Sequence, residues 1–398
     1  RLSKMKKYDY IIAGSGLAGL SLAFYINANP ILKTKKILIV DKSQKTKNDR
    51  TWCFWANKPT AFDEIVIHEW EKAHFFGVDY NKHAALSPFK YKMIRGIDFY
   101  NFTKKILHQN PNIEWVTGEI TSIQDTDNGG LVTVENTVYH ADWVFNSTFD
   151  IKQFQKKSTQ YFYQLQHFKG WVIEAENDCF DTEEMHLMDF RTAQYNNARF
   201  FYVLPFNKRK ALIEYTIFSD TLLEQETYDV FLKKYIGETL GIQNYTIEET
   251  EYGIIPMTNH PFKKTQGQHI LNIGTIGGHA KSSTGYAFYN VQQVVQQITH
   301  NLANNKYPLS NAPLFDKRFM VYDTLMLHIL QYEGELIKPI FTKLFKHNKI
   351  QTVFDFLNES TSFWQELKIF YSLPHMPFWR AIFSVYFYQP IKNLFAKS

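Results

Sequence analysis

A glycine-rich segment near the start of the chain constrains the fold more than any other feature of the sequence. In YDYIIAGSGLAGLSLAFYINAN (residues 8–29), an apolar run of strand length is followed by Gly14, Gly16 and Gly19, and then by a helical pattern. A second apolar strand, KKILIVDK, ends in Asp41. In this context the glycines permit a tight turn, close approach to a pyrophosphate and close helix–strand packing, and the acid suits a ribose hydroxyl. The segment therefore predicts a dinucleotide-binding unit.

The position of this fingerprint favours FAD over a nicotinamide dinucleotide. No second glycine fingerprint in a strand–helix–strand context follows it, because GETLG at Gly237–Gly241 has the wrong spacing. A separate nicotinamide-binding domain is therefore not expected. The alternative is a glycine turn that serves packing alone, but the full context of strand, helix and acid favours the cofactor.

Charge and cysteine content argue against two broad classes of function. The 398 residues carry 44 basic and 39 acidic side chains, and the resulting charge of +5 is too weak and too scattered to predict nucleic-acid binding. Cys53 and Cys179 form no CxxC spacing, so neither a zinc site nor a disulfide framework is indicated, and no metal is predicted. This cysteine usage is typical of a reducing, cytoplasmic setting.

Aromatic residues make up 17% of the chain, which fits either an aromatic core or a long apolar ligand. The sequence has no apolar run long enough for a transmembrane helix, and its first ten residues lack the apolar stretch of a signal peptide. The last third mixes aromatics with Lys and Arg on short predicted helices interrupted by Pro374, Pro377 and Pro390. This composition predicts peripheral attachment to a membrane, with an ordinary helical cap as the alternative.

The order of the predicted elements indicates an α/β fold of composite α+β type, with a Rossmann-type domain, a β-sheet domain and a helical region. Residues 1–150 and 250–310 are predicted to form a discontinuous FAD-binding domain, although part of 56–95 also fits the second domain. Residues 151–249, which include RFFYVLPF and ALIEYTIFS joined by an NKRK turn, are predicted to form a substrate-binding β-sheet domain. Residues 311–398 are predicted to form a helical, membrane-associating region.

Eight segments, in order along nearly the whole chain, resemble the bacterial, flavin-dependent lycopene cyclases. They are GSGLAGLSLA, DRTWCFW, QHFKGWVIE, LMDFR, VLPFNKRKALIEYT, IPM, GGHAKSSTGYAF and NESTSFWQELKIFYSLPHMPFWRA. The glycine fingerprint is common to many flavoproteins, whereas DRTWCFW, SSTGYAF and the LIEYT strand are much more specific. The resemblance implies the fold of flavoprotein hydroxylases and geranylgeranyl reductases.

The resemblance also implies an activity. The chain is expected to convert the linear ψ-ends of lycopene, or of a related linear carotenoid, into β-ionone rings in a non-redox reaction. That reaction requires reduced FAD, with NAD(P)H as the reductant. Glu214 is the family's candidate proton donor; it shares a strand face with Leu212 and Thr216, and an apolar pocket there would raise its pKa. Asp189 in LMDFR is a second candidate acid, which would tune Glu214 or relay protons; the alternative role is an ion pair with Arg191.

The other candidate site residues are assigned around the expected flavin. DRTWCFW (residues 49–55) is interpreted as a loop that crosses from the ribose towards the isoalloxazine. A strand to Gly274, a glycine loop and a helix from about Thr284 would direct a positive helix end at the flavin. The predicted cofactor contacts are Gly14, Gly16, Gly19, Asp41, Arg50, Gly274, Gly277, Gly278, Thr284 and Gly285. The predicted substrate contacts are Trp52, Phe54, Trp55 and Tyr286, for which core packing is the alternative.

Two other functions compete with cyclisation. A geranylgeranyl-reductase-like or monooxygenase flavoenzyme acting on an isoprenoid would consume the nicotinamide cofactor stoichiometrically with product. A flavin-free carotenoid or prenyl carrier belongs to a different class, and the intact glycine fingerprint with Asp41 argues against it.

Overall fold

The computed structural model describes residues 6–150, 161–310 and 317–388. In chain order the strands are β1 (Lys7–Ala13), β2 (Ile37–Asp41), β3 (Thr51–Ala56), β4 (His68–Trp70), β5 (Lys72–Phe76), β6 (Asn81–Ala85), β7 (Lys90–Arg95), β8 (Ile113–Thr117), β9 (Ile120–Thr126), β10 (Gly129–Val134), β11 (Thr137–Asn146), β12 (Tyr163–Ala175), β13 (Glu184–Asp189), β14 (Ala198–Pro205), β15 (Lys210–Ser219), β16 (Tyr245–Thr258) and β17 (Ile270–Asn272). The α-helices are α1 (Leu17–Ala28), α2 (Gly96–Leu107), α3 (Gln225–Lys234), α4 (Phe288–Ala303), α5 (Lys317–Tyr332), α6 (Ile337–His347), α7 (Ile350–Leu357), α8 (Phe363–Ser372) and α9 (His375–Phe383).

The first sheet has the strand order β8-β2-β1-β11-β10-β9, and β17 pairs with the last three residues of β11. β1, β2, β8, β11 and β17 run parallel, which fits the apolar character of β1 and β2, because parallel strands are usually covered on both faces. α1 follows β1 directly and packs beside α4, where Gln292 Nε2 donates a hydrogen bond of 2.9 Å to Ser21 Oγ. This arrangement is the predicted strand–turn–helix–strand unit.

The second sheet has the order β16-β12-β15-β14-β13-β5-β6 and two differently covered faces. Successive side chains of a strand alternate between these faces. Ile213 and Tyr215 belong to one core with the buried side chains of α3. Leu212 and Phe200 belong to another core, which the C-terminal helices complete. Glu214 lies on the same face as Leu212, as predicted, and this face is turned towards the rest of the molecule.

A small third sheet, in the order β3-β7-β4, joins the cores of the two large sheets. The sequence was expected to form a loop at DRTWCFW, and that expectation is wrong for Thr51–Ala56, which form β3. Phe54 packs in the core of the first sheet, whereas Trp55 packs in the core under the helices. The alternation of a strand therefore directs neighbouring aromatic side chains into different cores.

A buried ion cluster fastens the helical region to the glycine loop that precedes α4. Lys281 Nζ lies 3.0 Å from Asp323 Oδ1 on α5 and 2.7 Å from Glu359 Oε1, and the lysine side chain is only 4% exposed. The Ser283 hydroxyl donates a further hydrogen bond of 2.7 Å to Asp323. The ion pairs of Lys281 with Asp323 and Glu359 thus hold the loop at residues 281–286 against the helical region.

Other element predictions are confirmed with one shift of boundary. The strand–helix–strand unit at β1, α1 and β2 and the hairpin of β14 and β15 occur as predicted. The helix expected from about Thr284 begins instead at Phe288, because Gly285 adopts a φ of +71° and closes a turn against Lys281. The second sheet contains β5, β6 and all of β16, and β16 crosses the predicted domain boundary at residue 250. The division into domains remains a prediction.

Candidate active site

A cleft of about 690 Å³ opens at the carboxyl ends of β1 and β2. This edge of an open parallel sheet is where such folds bind nucleotides. Its walls gather six of the predicted cofactor and substrate residues from distant parts of the chain. They are Gly14, Gly16, Asp41, Arg50, Trp52 and Gly274.

The first two fingerprint glycines border the cleft, and the third serves packing. Gly14 has a φ of +99°, a conformation that L side chains rarely adopt, and a Cβ on Gly16 would meet no atom within 4 Å. A Cβ on Gly19 would lie only 2.0 Å from the carbonyl oxygen of Gly14. No side chain caps α1, so its first N–H groups remain available at the cleft. The turn therefore fits a pyrophosphate group.

Asp41 holds the turn in shape. One oxygen of its carboxylate, Oδ2, accepts hydrogen bonds from the Ser15 backbone N–H at 2.6 Å and from the Ser15 hydroxyl at 3.0 Å. The other, Oδ1, accepts from the Ser43 N–H at 2.8 Å. The carboxylate lies on the cleft wall with these bonds in place. A residue at this point can order the phosphate turn and face a ribose at the same time.

The second glycine loop contributes only part of its predicted residues to the cleft. Gly274 lines it, together with Thr275 and Ile276. Gly277, Gly278, Thr284 and Gly285 do not line it, because the loop folds back over residues 262–264 and the second sheet. A Cβ on Gly285, for example, would lie 2.5 Å from Gln166 Oε1.

β3 separates this cleft from a second group of side chains. Trp52 faces the cleft side and makes edge-on ring contacts with Phe99 and Tyr100. Phe54 on the same face stacks on Phe288 at 4.3 Å and is core. Trp55 points the other way, with its ring stacked on Phe354 at 4.5 Å and edge-on to Tyr286 at 4.6 Å. The four predicted substrate contacts thus lie on two opposite sides of β3.

The opposite side of β3 faces two glutamates that adjoin each other across a glycine. In the second sheet, Gly170 of β12 is in register with Glu214 of β15 on one side and with Glu251 of β16 on the other. Because Gly170 has no side chain, the two carboxyls can approach over it. The Thr216 hydroxyl donates to Glu214 Oε1 at 2.8 Å, and the Thr51 hydroxyl of β3 donates to Glu251 Oε2 at 2.7 Å. Each carboxyl is therefore held in place by a different threonine hydroxyl.

The protonation of Glu214 depends on burial and on the neighbouring carboxyl of Glu251. Both side chains are half-buried, and Glu251 borders a cavity. Burial, then the charge and hydrogen bond of Glu251, raise the pKa of Glu214 well above its usual range. Glu251 Oε1 has no donor among the described side chains. A proton on Glu214 supplies that donor and removes the repulsion between like charges.

Cavities and aromatic side chains surround the pair. A cavity of about 520 Å³ is bordered by Glu251 and Thr51, and apolar side chains such as Met93, Val172 and Leu212 form other parts of its wall. On the neighbouring strand, Tyr202 is in register with Glu214. Its hydroxyl lies 3.4 Å from that of Tyr286, beside a narrow cavity of about 30 Å³ with apolar walls. The narrow cavity suits an apolar ligand, whereas the wall of the larger one also includes Arg95, Lys210 and Glu249.

Asp189 does not belong to this group. Burial alone would raise its pKa, but hydrogen bonds from Arg191 and Tyr235, with His186 Nδ1 3.6 Å away, outweigh that effect and lower the pKa to about 2. Arg191 Nε lies 3.0 Å from Oδ1, and the Tyr235 hydroxyl donates to Oδ2. Of the roles considered for Asp189, the ion pair with Arg191 is the observed one. A permanently ionised carboxylate is unsuited to donate a proton near neutral pH.

Glu251 is the residue that sequence reasoning missed. It stands in a strand with Glu248 and Glu249, and nothing local marks it out from these exposed acids. The available signal was Gly170, inside the otherwise unbroken strand pattern of β12, since a glycine in a strand often marks the close approach of other groups.

Comparison with known proteins identifies the family. The family model described as lycopene cyclase protein matches residues 9–382. The chain belongs to the lycopene cyclase family. Among curated relatives, a lycopene beta cyclase of *Nicotiana tabacum* chloroplasts is 24% identical over 347 residues, which cover 78% of this chain and 64% of that protein. A chloroplastic neoxanthin synthase of *Solanum tuberosum* is 24% identical over 311 residues, covering 70% of this chain and 57% of that protein.

This lycopene cyclase family member spans less than two thirds of the length of those relatives. Solved structures show the same fold at low sequence identity. A geranylgeranyl bacteriochlorophyll reductase-like protein from *Thermoplasma acidophilum* has a TM-score of 0.57 at 12% identity, covering 98% of this chain and 99% of that chain. A probable FAD-dependent monooxygenase from *Pseudomonas aeruginosa* has a TM-score of 0.60 at 10% identity, covering 82% and 97%. The predicted fold class is confirmed.

Proposed function

We propose that this chain is a lycopene β-cyclase, which converts the ψ-ends of lycopene to β-ionone rings through γ-carotene to β-carotene. Membership of the family supports an enzyme that acts on carotenoids. The observation that carries the specific proposal is the adjacent pair of Glu214 and Glu251, in which burial and the neighbouring carboxyl raise the pKa of Glu214. A hydrocarbon has no polar group with which an enzyme can interact, so its activation by protonation of a double bond requires such an acid.

The proposed reaction is redox-neutral. Glu214 donates its proton to the terminal carbon–carbon double bond, which leaves a tertiary carbocation on the adjacent carbon. The next double bond attacks that cation, and the new carbon–carbon bond closes the ring. Loss of one proton from the ring then forms the ring double bond. One proton enters and one leaves, so the product is an isomer of the substrate.

The surrounding side chains support these steps in different ways. Thr216 and Thr51 fix the two carboxyls by the hydrogen bonds described above. The rings of Tyr202 and Tyr286 lie near Glu214, and π faces of this kind stabilise a carbocation without trapping it as a nucleophile would. Their burial also keeps water from the cation.

We propose that the cleft beside β1 and β2 binds FAD. The open glycine turn, the uncapped start of α1 and Asp41 fit a pyrophosphate and a ribose, and Arg50 and Trp52 lie further along the same wall. Reduced FAD, when bound, supplies negative charge that stabilises a nearby cation. NAD(P)H is proposed only as the source of the electrons that reduce FAD. Trp52 and Thr51, which are neighbours on β3, connect the cleft wall with the acid pair.

Gly19→Ala is expected to weaken FAD binding. The new Cβ would lie 2.0 Å from the Gly14 carbonyl and 3.0 Å from Ile12 Cγ2, so the phosphate turn must move. Overpacking typically costs about 1–3 kcal/mol, which corresponds to about a 5- to 150-fold weaker affinity. Fluorescence titration of the flavin-free chain with FAD measures the effect. Gly237→Ala is the control, because its Cβ would meet no atom within 4 Å, and equal affinities of both variants would contradict the assignment.

Gly170→Ala is expected to slow ring formation by up to about a hundredfold while FAD remains bound. The new Cβ would lie 3.0 Å from Glu251 Cγ and 2.9 Å from Leu212 Cδ1, so Glu251 must withdraw from Glu214. The initial rate of ring formation with reduced protein measures the effect, with Gly237→Ala again as the control. An unchanged rate would show that the spacing of the two carboxyls is unimportant.

We also propose that α8 and α9 attach the protein to the surface of a membrane, where its substrate dissolves. Among the described residues, no helix has the length and apolarity required to cross a bilayer. Large apolar side chains are nevertheless exposed on these two short helices and just after them. They include Phe363, Trp364, Leu367, Tyr371, Met376, Trp379, Phe383 and Phe387. Aromatic side chains of this kind are favoured at the membrane interface.

The variant Trp364→Ser/Trp379→Ser is expected to bind lipid vesicles at least about tenfold more weakly than the natural chain. Trp364 is 78% and Trp379 63% exposed, so their loss removes apolar area from the interface without opening the core. Co-flotation with vesicles of mixed neutral and anionic lipid measures the bound fraction. Val230→Ser, at a 63% exposed position of α3, should bind as the natural chain does. Equal flotation of all three would contradict attachment through α8 and α9.

The activity itself is tested by incubating lycopene with dithionite-reduced, FAD-loaded protein in the absence of NAD(P)H. Cyclic products separated by chromatography are expected, with γ-carotene preceding β-carotene. The overall similarity to a geranylgeranyl bacteriochlorophyll reductase-like protein favours reduction of an isoprenoid double bond as the second candidate. That activity would instead yield acyclic products with fewer double bonds, and one flavin would be oxidised for each bond reduced.

A further inference from the structure

We propose that the edge of the second sheet farthest from β16 carries a zinc site formed by His74, His83 and Glu184. These residues lie on three adjacent strands, and their ligand atoms are within 4.8 Å of one another. His83 of β6 is directly opposite His74 of β5. Glu184 of β13 is two residues before His186, the partner of His74, so it shares their face.

The atoms already converge on the glutamate. His83 Nδ1 lies 2.7 Å from Glu184 Oε1, and His74 Nδ1 lies 3.7 Å from Glu184 Oε2. Both imidazoles therefore present the same type of nitrogen to one carboxylate. The His74 and His83 rings pack at 3.6 Å between centroids, so the exposed His83 ring would turn for both nitrogens to reach one zinc ion with bonds of about 2.0–2.2 Å.

The other ring nitrogen of His74 is held as a metal ligand requires. His74 Nε2 lies 3.2 Å from the Asn81 side-chain oxygen, which can only accept, so the ring proton is placed on Nε2 and Nδ1 keeps its lone pair. The His74 ring is also stacked on Phe76 at 3.8 Å. A second hydrogen-bonding partner of this kind is a regular feature of histidines that bind metals.

The set of ligands and their exposure favour zinc. Two imidazoles and one carboxylate suit a borderline-soft divalent ion of the first transition row, and the same donor types bind zinc elsewhere. The His83 side chain is 64% exposed, which leaves its ring free to adjust and gives an ion access from solvent. The His74 and Glu184 side chains are only 12% and 14% exposed, so they have less freedom to move than His83.

Bound zinc would fasten β6, the last strand of the sheet, to β13 through β5. The hairpin of β5 and β6 is otherwise tied to the helices by Lys82, whose ammonium donates to the carbonyls of Phe345 and Asn348. The role is therefore structural, and it does not depend on the proposed cyclisation. The sequence gives no metal motif here because the ligands come from separate strands.

Calorimetric titration of the untagged, metal-free full chain with Zn²⁺ tests the proposal, and Co²⁺ serves as a visible-light probe of the same ligands. The natural chain is expected to bind one equivalent, and Zn²⁺ is expected to raise its midpoint of thermal unfolding. His83→Gln and Glu184→Gln should each weaken binding by more than about tenfold, and Asn81→Ala by about tenfold. His300→Gln, at an exposed position of α4, should behave as the natural chain does.

Two results would overturn the site. One is the absence of saturable binding of either ion to the natural chain. The other is binding that survives unchanged in both His83→Gln and Glu184→Gln, which would place the ion elsewhere. His83 is exposed on an edge strand, so its variant is expected to fold, and circular dichroism with the retained FAD content checks this.

Discussion

Glu214→Gln is expected to lower the rate of ring formation from lycopene by about a hundredfold to ten-thousandfold, the range in which a positioned general acid contributes. Glutamine keeps the shape of the side chain and the bond from Thr216, but it has no acidic proton to give. FAD binding should be unchanged because Glu214 does not line the nucleotide cleft. The initial rate with reduced protein and the flavin absorbance of the same sample measure both effects.

The same variant should also change how stability depends on pH. Because the pKa of Glu214 is raised in the folded protein, the folded state retains a proton that the unfolded chain releases above the ordinary glutamate value of 4.5. The free energy of unfolding of the natural chain should therefore fall as pH rises from there through the folded-state pKa. Glutamine does not titrate, so the variant should lose this part of the slope. Urea unfolding at a series of pH values measures the difference.

Glu226→Gln provides the matched control for both measurements, because Glu226 is an exposed glutamate in the first turn of α3. It should leave the rate and the pH dependence of stability as they are in the natural chain. An active Glu214→Gln protein would remove Glu214 as the acid. Parallel stability curves for the natural chain and Glu214→Gln would show instead that the carboxyl is not held protonated.

Lys281→Met is expected to destabilise the protein by about 3–5 kcal/mol, which is the usual result of removing one partner of a buried ion pair. Asp323 and Glu359 would remain in a buried place without their cation. The loss should be greater in mildly alkaline than in mildly acidic solution, because burial raises the pKa of Glu359 and its protonation relieves part of the cost. Denaturant unfolding followed by tryptophan fluorescence measures the free energy of unfolding.

A second substitution separates lost charge from lost packing. Adding Glu359→Gln to Lys281→Met removes one of the stranded charges and should recover part of the stability. Lys58→Met, at an exposed position, should stay within about 0.5 kcal/mol of the natural chain. If Lys281→Met is as stable as Lys58→Met, the cluster does not fasten the glycine loop to α5.

Local patterns predicted the parts of the molecule that local chemistry determines. The fingerprint glycines with Asp41 specified β1, α1 and β2, because the turn and the packing of its neighbours depend on contiguous residues. The period of two along β15 correctly placed Glu214 with Leu212 and Thr216. Assignments of this type need no knowledge of which strand lies next to which.

Features that depend on strand register were not accessible in the same way. The partnership of Glu214 with Glu251 exists only because β12 lies between their strands with Gly170 at the shared position. The grouping of Trp52 with Trp55 missed the alternation of β3, which turns one towards the nucleotide cleft and the other towards Tyr286. The later start of α4 follows from the positive φ of Gly285, a property of the folded turn.

Deuterium incorporation from solvent tests the central claim most directly. Lycopene is incubated in D₂O with the dithionite-reduced, FAD-loaded chain in the absence of NAD(P)H, and the products are analysed by mass spectrometry. Acid-catalysed cyclisation predicts one deuteron per ring, no net reduction of the hydrocarbon and flavin that stays reduced. A product that has gained two hydrogens per turnover with oxidation of the flavin, or a ring formed without deuterium, would contradict it.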